Sequence, residues 1–455
     1  MAINPTLQPK LTFIHGLRHR ILLILALLAP TAGIAGPAIQ HWTTSNGVQV
    51  YFVPAPDLPM VDVRIVIDAG SARDGQLPGL AFLSNKLIKD GDFGLDADQV
   101  ATGFERVGAR FSTTCYRDMA IIDLRSLTDP ELLNPTIQLA AQLVTKPAFQ
   151  EDSLERERQI LLVALQERLQ SPSDIANDAF MAALYADHPY ATPTEGTVAS
   201  VKAIKRSDLV TFHNRYYVGR NTTVAIVGAL NRATAEKLAW SMVKDIPAGR
   251  GAPMLTPLAT PPADKTTNNA QIRIQHPSTQ THILIGQPGI SYDDADYFPL
   301  YVGNHILGGS GLVSRISEEI REKRGLSYSA YSYFNPMRQA GPFVIGLQTR
   351  NDQANEAHKV ALETIKQFIE TGPTVTELEE SKQNITGGFP LRLSSNKKII
   401  GMLATIGFYQ LPLDYLDTFT TKVDLVSVEM IKEAFTRRVH PEKMATIMVG
   451  NLESE

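Results

Sequence analysis

Apolar and polar residues first alternate at Asn46, where NGVQVYFVPAP and then VDVRIVIDAG send every second side chain to one face, the pattern of half-buried strands. The Pro-rich corner Pro54 to Pro59 between them suggests two neighbouring strands. A helix follows from Gly79, and GARFSTTCYRDMAIIDLRSL reads as another strand pair. Beyond it the period lengthens to that of amphipathic helices over Pro130 to Val144, Glu151 to Gln170, Ile175 to Tyr185 and Ser207 to Tyr216. TTVAIVGAL is again a strand, followed by a helix from about Ala233 to Val243.

The order then repeats. ATIMVGNL near the end echoes Val227-Gly228-Ala229-Leu230, and each phrase follows a helix carrying aromatic and basic residues. Strands first, helices in the middle and a strand late in both halves predict an α+β protein of two homologous domains, 39–247 and 270–455, each a mostly antiparallel sheet packed with helices. PAGRGAPMLTPLATPPADKTTNNAQ between them is dense in Pro, Ala, Thr and Gly. It predicts a semi-rigid linker over 248–269 that can hold the domains apart and facing each other.

Chemistry concentrates in Leu307 to Tyr328, LGGSGLVSRISEEIREKRGLSY. Gly308, Gly309 and Gly311 let the backbone bend sharply. A helix is predicted from Leu312 to about Lys323, with Leu312, Ile316 and Ile320 on one face and Gly325 as its stop. SYSAYSYF then reads as a strand that Tyr328 begins, with Tyr328 and Ala330 on one face. A guanidinium at Arg321 and a phenol at Tyr328 make two donors able to reach one carbonyl oxygen, which stabilises developing negative charge. The alternative is that Arg321 pairs with Glu318 or a distant carboxylate and Tyr328 fills core.

At 455 residues the chain exceeds the roughly 100 to 200 residues of one domain. A net charge of −4 with dispersed basic residues gives neither a nucleic-acid footprint nor a polybasic membrane patch. Lys10, Arg18 and Arg20 precede the apolar run ILLILALLAP, and small residues Gly33 and Ala35 follow, so 1–35 reads as a secretory signal peptide. The run is shorter than the roughly 18 to 20 residues that span a bilayer, against the alternative of a retained anchor. An exported, periplasmic protein with no membrane contact after cleavage is expected. Cys115 is the single cysteine, so no internal disulfide forms, and it is most simply a small buried hydrophobe.

Three phrases, GLAFLSNKLI, ERERQILLVALQERLQSPSD and GGSGLVSRISEEIREKRGLSYS, resemble the pitrilysin/insulinase family of zinc peptidases, the inverzincins, over nearly the whole mature chain. Zinc-holding members carry H-x-x-E-H on the first helix. Aligned on Gly79-Leu80-Ala81, the two histidine positions fall on Phe82 and Lys86 and the catalytic glutamate position on Asn85. The third ligand position falls on Ala164, and a companion acid remains as Glu157, read as one member of a solvated charged face. Phenyl, ammonium and methyl groups cannot hold Zn²⁺, and an amide is a poor general base. No pair among the ten histidines restores either zinc spacing; His188, His213, His282 and His305 are scattered.

Arg321 and Tyr328 keep the family's seven-residue spacing. The resemblance therefore implies the non-zinc-binding subunit of a bacterial heterodimeric peptidase, similar to the alpha-type partner of the mitochondrial processing peptidase. It implies no cofactor on this chain, zinc in a homologous partner, and an unfolded peptide held partly by strand addition. Gly308, Gly309, Ser310 and Gly311 would form a substrate-binding loop that flexes as the chamber opens. The other reading is a non-enzymatic peptide-binding or scaffold protein with the same shell. A self-sufficient hydrolase lacks any G-x-S-x-G phrase.

Overall fold

The structure, a computed structural model, describes residues 37–91, 94–258 and 271–452. The proposed signal peptide and the linker from 259 onward lie outside the described residues. The first half runs β1 (Gln40–Thr43), β2 (Gln49–Pro54), β3 (Met60–Ile67), α1 (Leu80–Lys86), α2 (Ala97–Glu105), β4 (Arg110–Cys115), β5 (Ala120–Leu127), α3 (Pro130–Thr145), α4 (Glu151–Arg168), α5 (Pro172–Tyr185), α6 (Val198–Ala203), α7 (Arg206–Tyr216), β6 (Thr222–Gly228) and α8 (Arg232–Val243). The second half runs β7 (Gln271–Gln275), β8 (Gln280–Pro288), α9 (Tyr297–Asn304), α10 (Arg315–Ser317), β9 (Ala330–Phe334), β10 (Pro342–Arg350), α11 (Ala354–Thr371), α12 (Val375–Gly388), α13 (Asn396–Phe408), α14 (Tyr415–Asp424), α15 (Val428–Arg438) and β11 (Ala445–Gly450).

The first sheet has the order β1-β2-β6-β3-β5-β4 and the second β7-β11-β8-β10-β9. Without β1 the two orders are the same, with the late strand inserted beside the first strand of each half and parallel to it. All other pairings are antiparallel. β2 and β3 are therefore not neighbours, as their alternation suggested. β6, about 170 residues further on, pairs with both of them. β6 and β11 are buried at every residue, as strands flanked by neighbours and covered on both faces must be.

Each half lends a helix to the other. α5 lies on β8 and β11 of the second sheet, while α13 lies on β2, β3 and β6 of the first. Gly407 in α13 shows how close the approach is, because a Cβ there would sit 2.6 Å from Thr223 and 2.7 Å from Tyr51. One core joins Val53, Val66 and Val227 to Leu403 and Ala404; another joins Phe180 and Met181 to Val344 and Val449. Each fully buried Leu, Val or Phe of this kind contributes about 1.5–3 kcal/mol. At the tip of the β4–β5 hairpin, buried Asp118 accepts hydrogen bonds from the phenols of Tyr190 and Tyr409 and from the Arg338 backbone N–H.

The linker's described part does not stand the halves apart. Leu255 is buried beside α5, Arg73 donates to Pro253 O, and the Ala252 N–H donates to Asn221. The helix expected from Leu312 starts later. Gly311 takes a left-handed φ of 68°, Gly311–Val313 forms one 3₁₀ turn, and Ser314 caps α10 by accepting from the Ser317 N–H. Leu312 and Val313 are therefore exposed, and only Ile316 and Ile320 are buried. α10 continues as a π-helical turn, Glu318–Glu322, and ends at Gly325, whose φ of 63° permits Leu326 N–H to reach back to Ile320 O. β9 begins at Ala330, so Tyr328 precedes the strand instead of opening it.

Candidate functional site

α1 starts where Gly79 takes φ 92° and the buried Asp74 carboxylate accepts from the Gly79 and Ala81 N–H groups, both at 2.7 Å. Burial nevertheless pushes the Asp74 carboxyl up to about 8. On this helix Asn85 is tied to two strands and a phenol. Its amide donates to Thr114 O on β4 at 2.9 Å and to Ile121 O on β5 at 3.2 Å, and its carbonyl accepts from Tyr217 Oη at 3.2 Å. Both of its N–H donors are therefore spent on the strands, and it is buried.

Lys86 places its ammonium 2.9 Å from the Glu157 carboxylate and 5.8 Å from the centre of the Phe82 ring. Glu157 is thus no member of a solvated face: it is buried, because α4 turns it toward α1, where Lys86 supplies the opposing charge. Close by, burial first and the Glu157 charge second push the Asp90 carboxyl up, against the pull of Arg156. Ala164, two turns along α4, is exposed. The four positions hold an aromatic ring, an amide bonded to β4 and β5, an ammonium and a methyl, so their donor chemistry does not fit a zinc ion. Among the described residues no cluster of three or more His, Cys, Asp or Glu has metal-holding geometry.

Arg321 and Tyr328 do come together. The π-helical turn carries Arg321, and the guanidinium carbon lies 4.7 Å from the centre of the Tyr328 ring. Among the described residues Arg321 approaches a carboxylate only at Glu322, 3.5 Å away; Glu318 instead pairs with Lys323. Tyr328 is 85% exposed, which excludes the core-filling alternative. Its outward direction is built locally: Leu326 is buried and fixed by Thr349 Oγ1 donating to its carbonyl at 2.6 Å. Ser327 then clamps the next turn, donating to Ser329 O and accepting from the Ser329 N–H.

The glycine loop is more rigid than its composition implies. His305–Gly309 is a π-helical turn, and a Cβ at Gly308 would meet Ser332 of β9 at 2.3 and 2.5 Å. Gly308 is therefore a packing glycine; Gly311, with open space around it, is the conformational one. Gly308 and Gly309 line a cavity of about 480 Å³ with Tyr297, Tyr301, Asn304 and Arg392, while Ser310 and Gly311 lie beyond its lining.

That cavity flanks a second copy of the α1 arrangement. Asn304 donates to Ser332 O on β9 at 3.0 Å, as Asn85 donates to β4, and accepts from Ser332 Oγ at 2.7 Å. One residue further on, His305 contacts α12 through Ser381 at 2.8 Å and Asn384 at 3.2 Å, as Lys86 contacts α4. Three residues before Asn304, Tyr301 faces the Arg392 cation at 5.9 Å, as Phe82 faces Lys86. The clamp role of Asn85 escaped the sequence reading. A polar residue on the buried side of a short helix, between Leu83 and Leu87, was the available signal.

Comparison with known proteins gives this geometry its context. The profile of the insulinase family, peptidase family M16, matches residues 50–198, and that of the peptidase M16 inactive domain matches residues 203–385. A crystal structure described as the peptidase M16 inactive domain from Pseudomonas fluorescens is 37% identical, covers 92% of this chain and 98% of its own, and has a TM-score of 0.88. The chain belongs to peptidase family M16. Within M16 it is 24% identical to the Helicobacter pylori protein named non-peptidase homolog YmxG, over 95% of this chain and 99% of that one. It is 23% identical to the Bacillus subtilis protein named uncharacterized zinc protease YmxG, over 91% of this chain and all of the relative. This M16 chain thus has the family's two-domain fold and is similar over nearly its whole length to a structure described as the inactive domain.

Proposed function

We propose that this chain is the zinc-less subunit of a two-chain M16 metallopeptidase, exported and working outside the cytoplasm on unfolded peptides. A homologous partner bearing H-x-x-E-H would hold the metal and activate water. This chain's part is to hold and polarise the peptide. Tyr328 Oη and the Arg321 guanidinium donate to the carbonyl oxygen that gains charge, and the ring contact holds the two donors side by side. β9, which stands at the sheet edge and among the described residues pairs with β10, presents its outer edge beside that pair to an extended peptide. The observation that carries this reading is the exposure of Tyr328 while it stacks on Arg321, an expensive arrangement for an aromatic ring with no partner to meet.

The test is reconstitution with an H-x-x-E-H-bearing partner and a peptide-cleavage assay. Tyr328→Phe is expected to lower turnover about 10²- to 10³-fold with assembly intact. Unchanged turnover rejects the role. The name of the Helicobacter pylori relative favours a second reading, a peptide-binding protein without catalysis. Peptide binding by the chain alone, with no gain in cleavage from any zinc-bearing partner, is its signature.

A further inference from the structure

Arg117 sits on the β4–β5 hairpin where the first half meets the second. Its Nε donates to Tyr190 O at 3.0 Å, and its two terminal nitrogens have no partner among the described residues. Asp178 and Glu195 act on it only through space, and Asp178 is already bonded to Arg168 at 2.7 Å. The side chain lines a cavity of about 200 Å³ between α5 and the second sheet. Among the described residues the cavity's lining holds no acidic residue, and Arg117 is the one Lys or Arg in it, with His282 beside it. Asn177, Ser173 and Gln348 add polar groups, and Phe180 and Val344 add apolar wall.

The half-buried guanidinium keeps two nitrogens open toward the cavity, and its planar fork matches a carboxylate. Tyr331 and Tyr333 of β9 also line the cavity. They share one face of the strand, so the cavity opens on the side to which a peptide lying along β9 would send alternate side chains. We propose that this cavity is a carboxylate pocket in which Arg117 binds an acidic side chain or the C-terminal carboxylate of the bound peptide. The inference deepens the peptide-holding reading and rests on it, but it does not depend on catalysis.

The test uses the whole chain alone and fluorescence anisotropy with three forms of one labelled peptide: an internal Glu with an amidated C-terminus, the Glu replaced by Gln, and the Gln form with a free C-terminal carboxylate. One or both acid-bearing forms are expected to bind about 10- to 100-fold tighter than the neutral form, and which one does identifies the source of the carboxylate. Arg117→Gln should erase that preference and leave the neutral peptide's affinity in place, while Arg117→Lys should keep part of it. Equal affinities for all three forms, no binding of any form, or a preference that survives in Arg117→Gln overturns the proposal. The wild-type comparison stands even if the variants fold poorly. An acid preference without catalytic rescue of a zinc-bearing partner would sink the subunit reading and keep the pocket.

Discussion

In the first half, the helix beside the edge strand ends in an ammonium facing a buried carboxylate, Lys86 to Glu157. In the second, the same place holds His305 between a serine hydroxyl and an asparagine carbonyl, with burial pushing the imidazole down and so toward its neutral form. Both halves keep an asparagine that ties the helix to the edge strand. The difference teaches how a helix beside an edge strand is held when its C-terminal residue faces a carboxylate and when it does not. Glu157 is buried in the wall, and a buried carboxylate needs a cation; where no carboxylate faces the helix, a neutral ring suffices.

The sharpest way to break this comparison is to return one family residue. Asn85→Glu sets a carboxylate against the carbonyls of Thr114 and Ile121, and should cost about 4 kcal/mol in urea unfolding. Asn304→Glu should cost about the same. If either is tolerated at under about 1 kcal/mol, the asparagines are not clamps. Next comes the charge itself. Lys86→Ala strands Glu157 and should cost about 3 kcal/mol, against about 1 kcal/mol for His305→Ala. Equal costs would mean the ion pair and the neutral contact are equivalent.

Smaller effects separate the two kinds of glycine. Gly308→Ala drives a methyl into Ser332 and should cost about 2 kcal/mol. Gly311→Ala meets no atom, only a left-handed backbone, and should cost about 1 kcal/mol. The smallest effect is a pH dependence in the second half, where Glu377 receives both Arg315 nitrogens at 2.6 and 2.7 Å and the Thr374 N–H at 2.7 Å. Burial works against its charge, but these bonds hold the carboxyl down at about 2, below its unfolded value of 4.5. Its stabilisation is present above pH 4.5 and is lost as pH falls toward 2. Glu377→Gln should remove about 1 kcal/mol of that acid-limb slope in unfolding measured from pH 5 to 2.

The helices, the β4–β5 hairpin and the duplication were legible because each is a local pattern or a repeat of one. The adjacency of β2 and β3 was misread because nothing within that stretch announces a strand inserted from about 170 residues away. The segment around Arg321 was misplaced for a different reason. Leu312, Ile316 and Ile320 fit helical spacing, but the left-handed Gly311, the Ser314 cap and a π-helical turn shift where the helix starts and how it ends. The Arg321–Tyr328 contact survives because both anchors, Ile320 and Leu326, are buried whatever the label of the turn between them. Asn85 and Arg117 stayed hidden because their partners, Thr114, Ile121 and Tyr217 for the first and Tyr190 for the second, lie far along the chain, and no single window contains them.

The exchange of α5 and α13 bears on inheritance as well as on folding. A gene fragment encoding one half alone would make a sheet with a bare apolar face and a helix with nowhere to lie, so neither piece is a soluble module to be shuffled elsewhere. Expressed together as two polypeptides, however, the pieces should find each other, since each carries the lid that the other lacks.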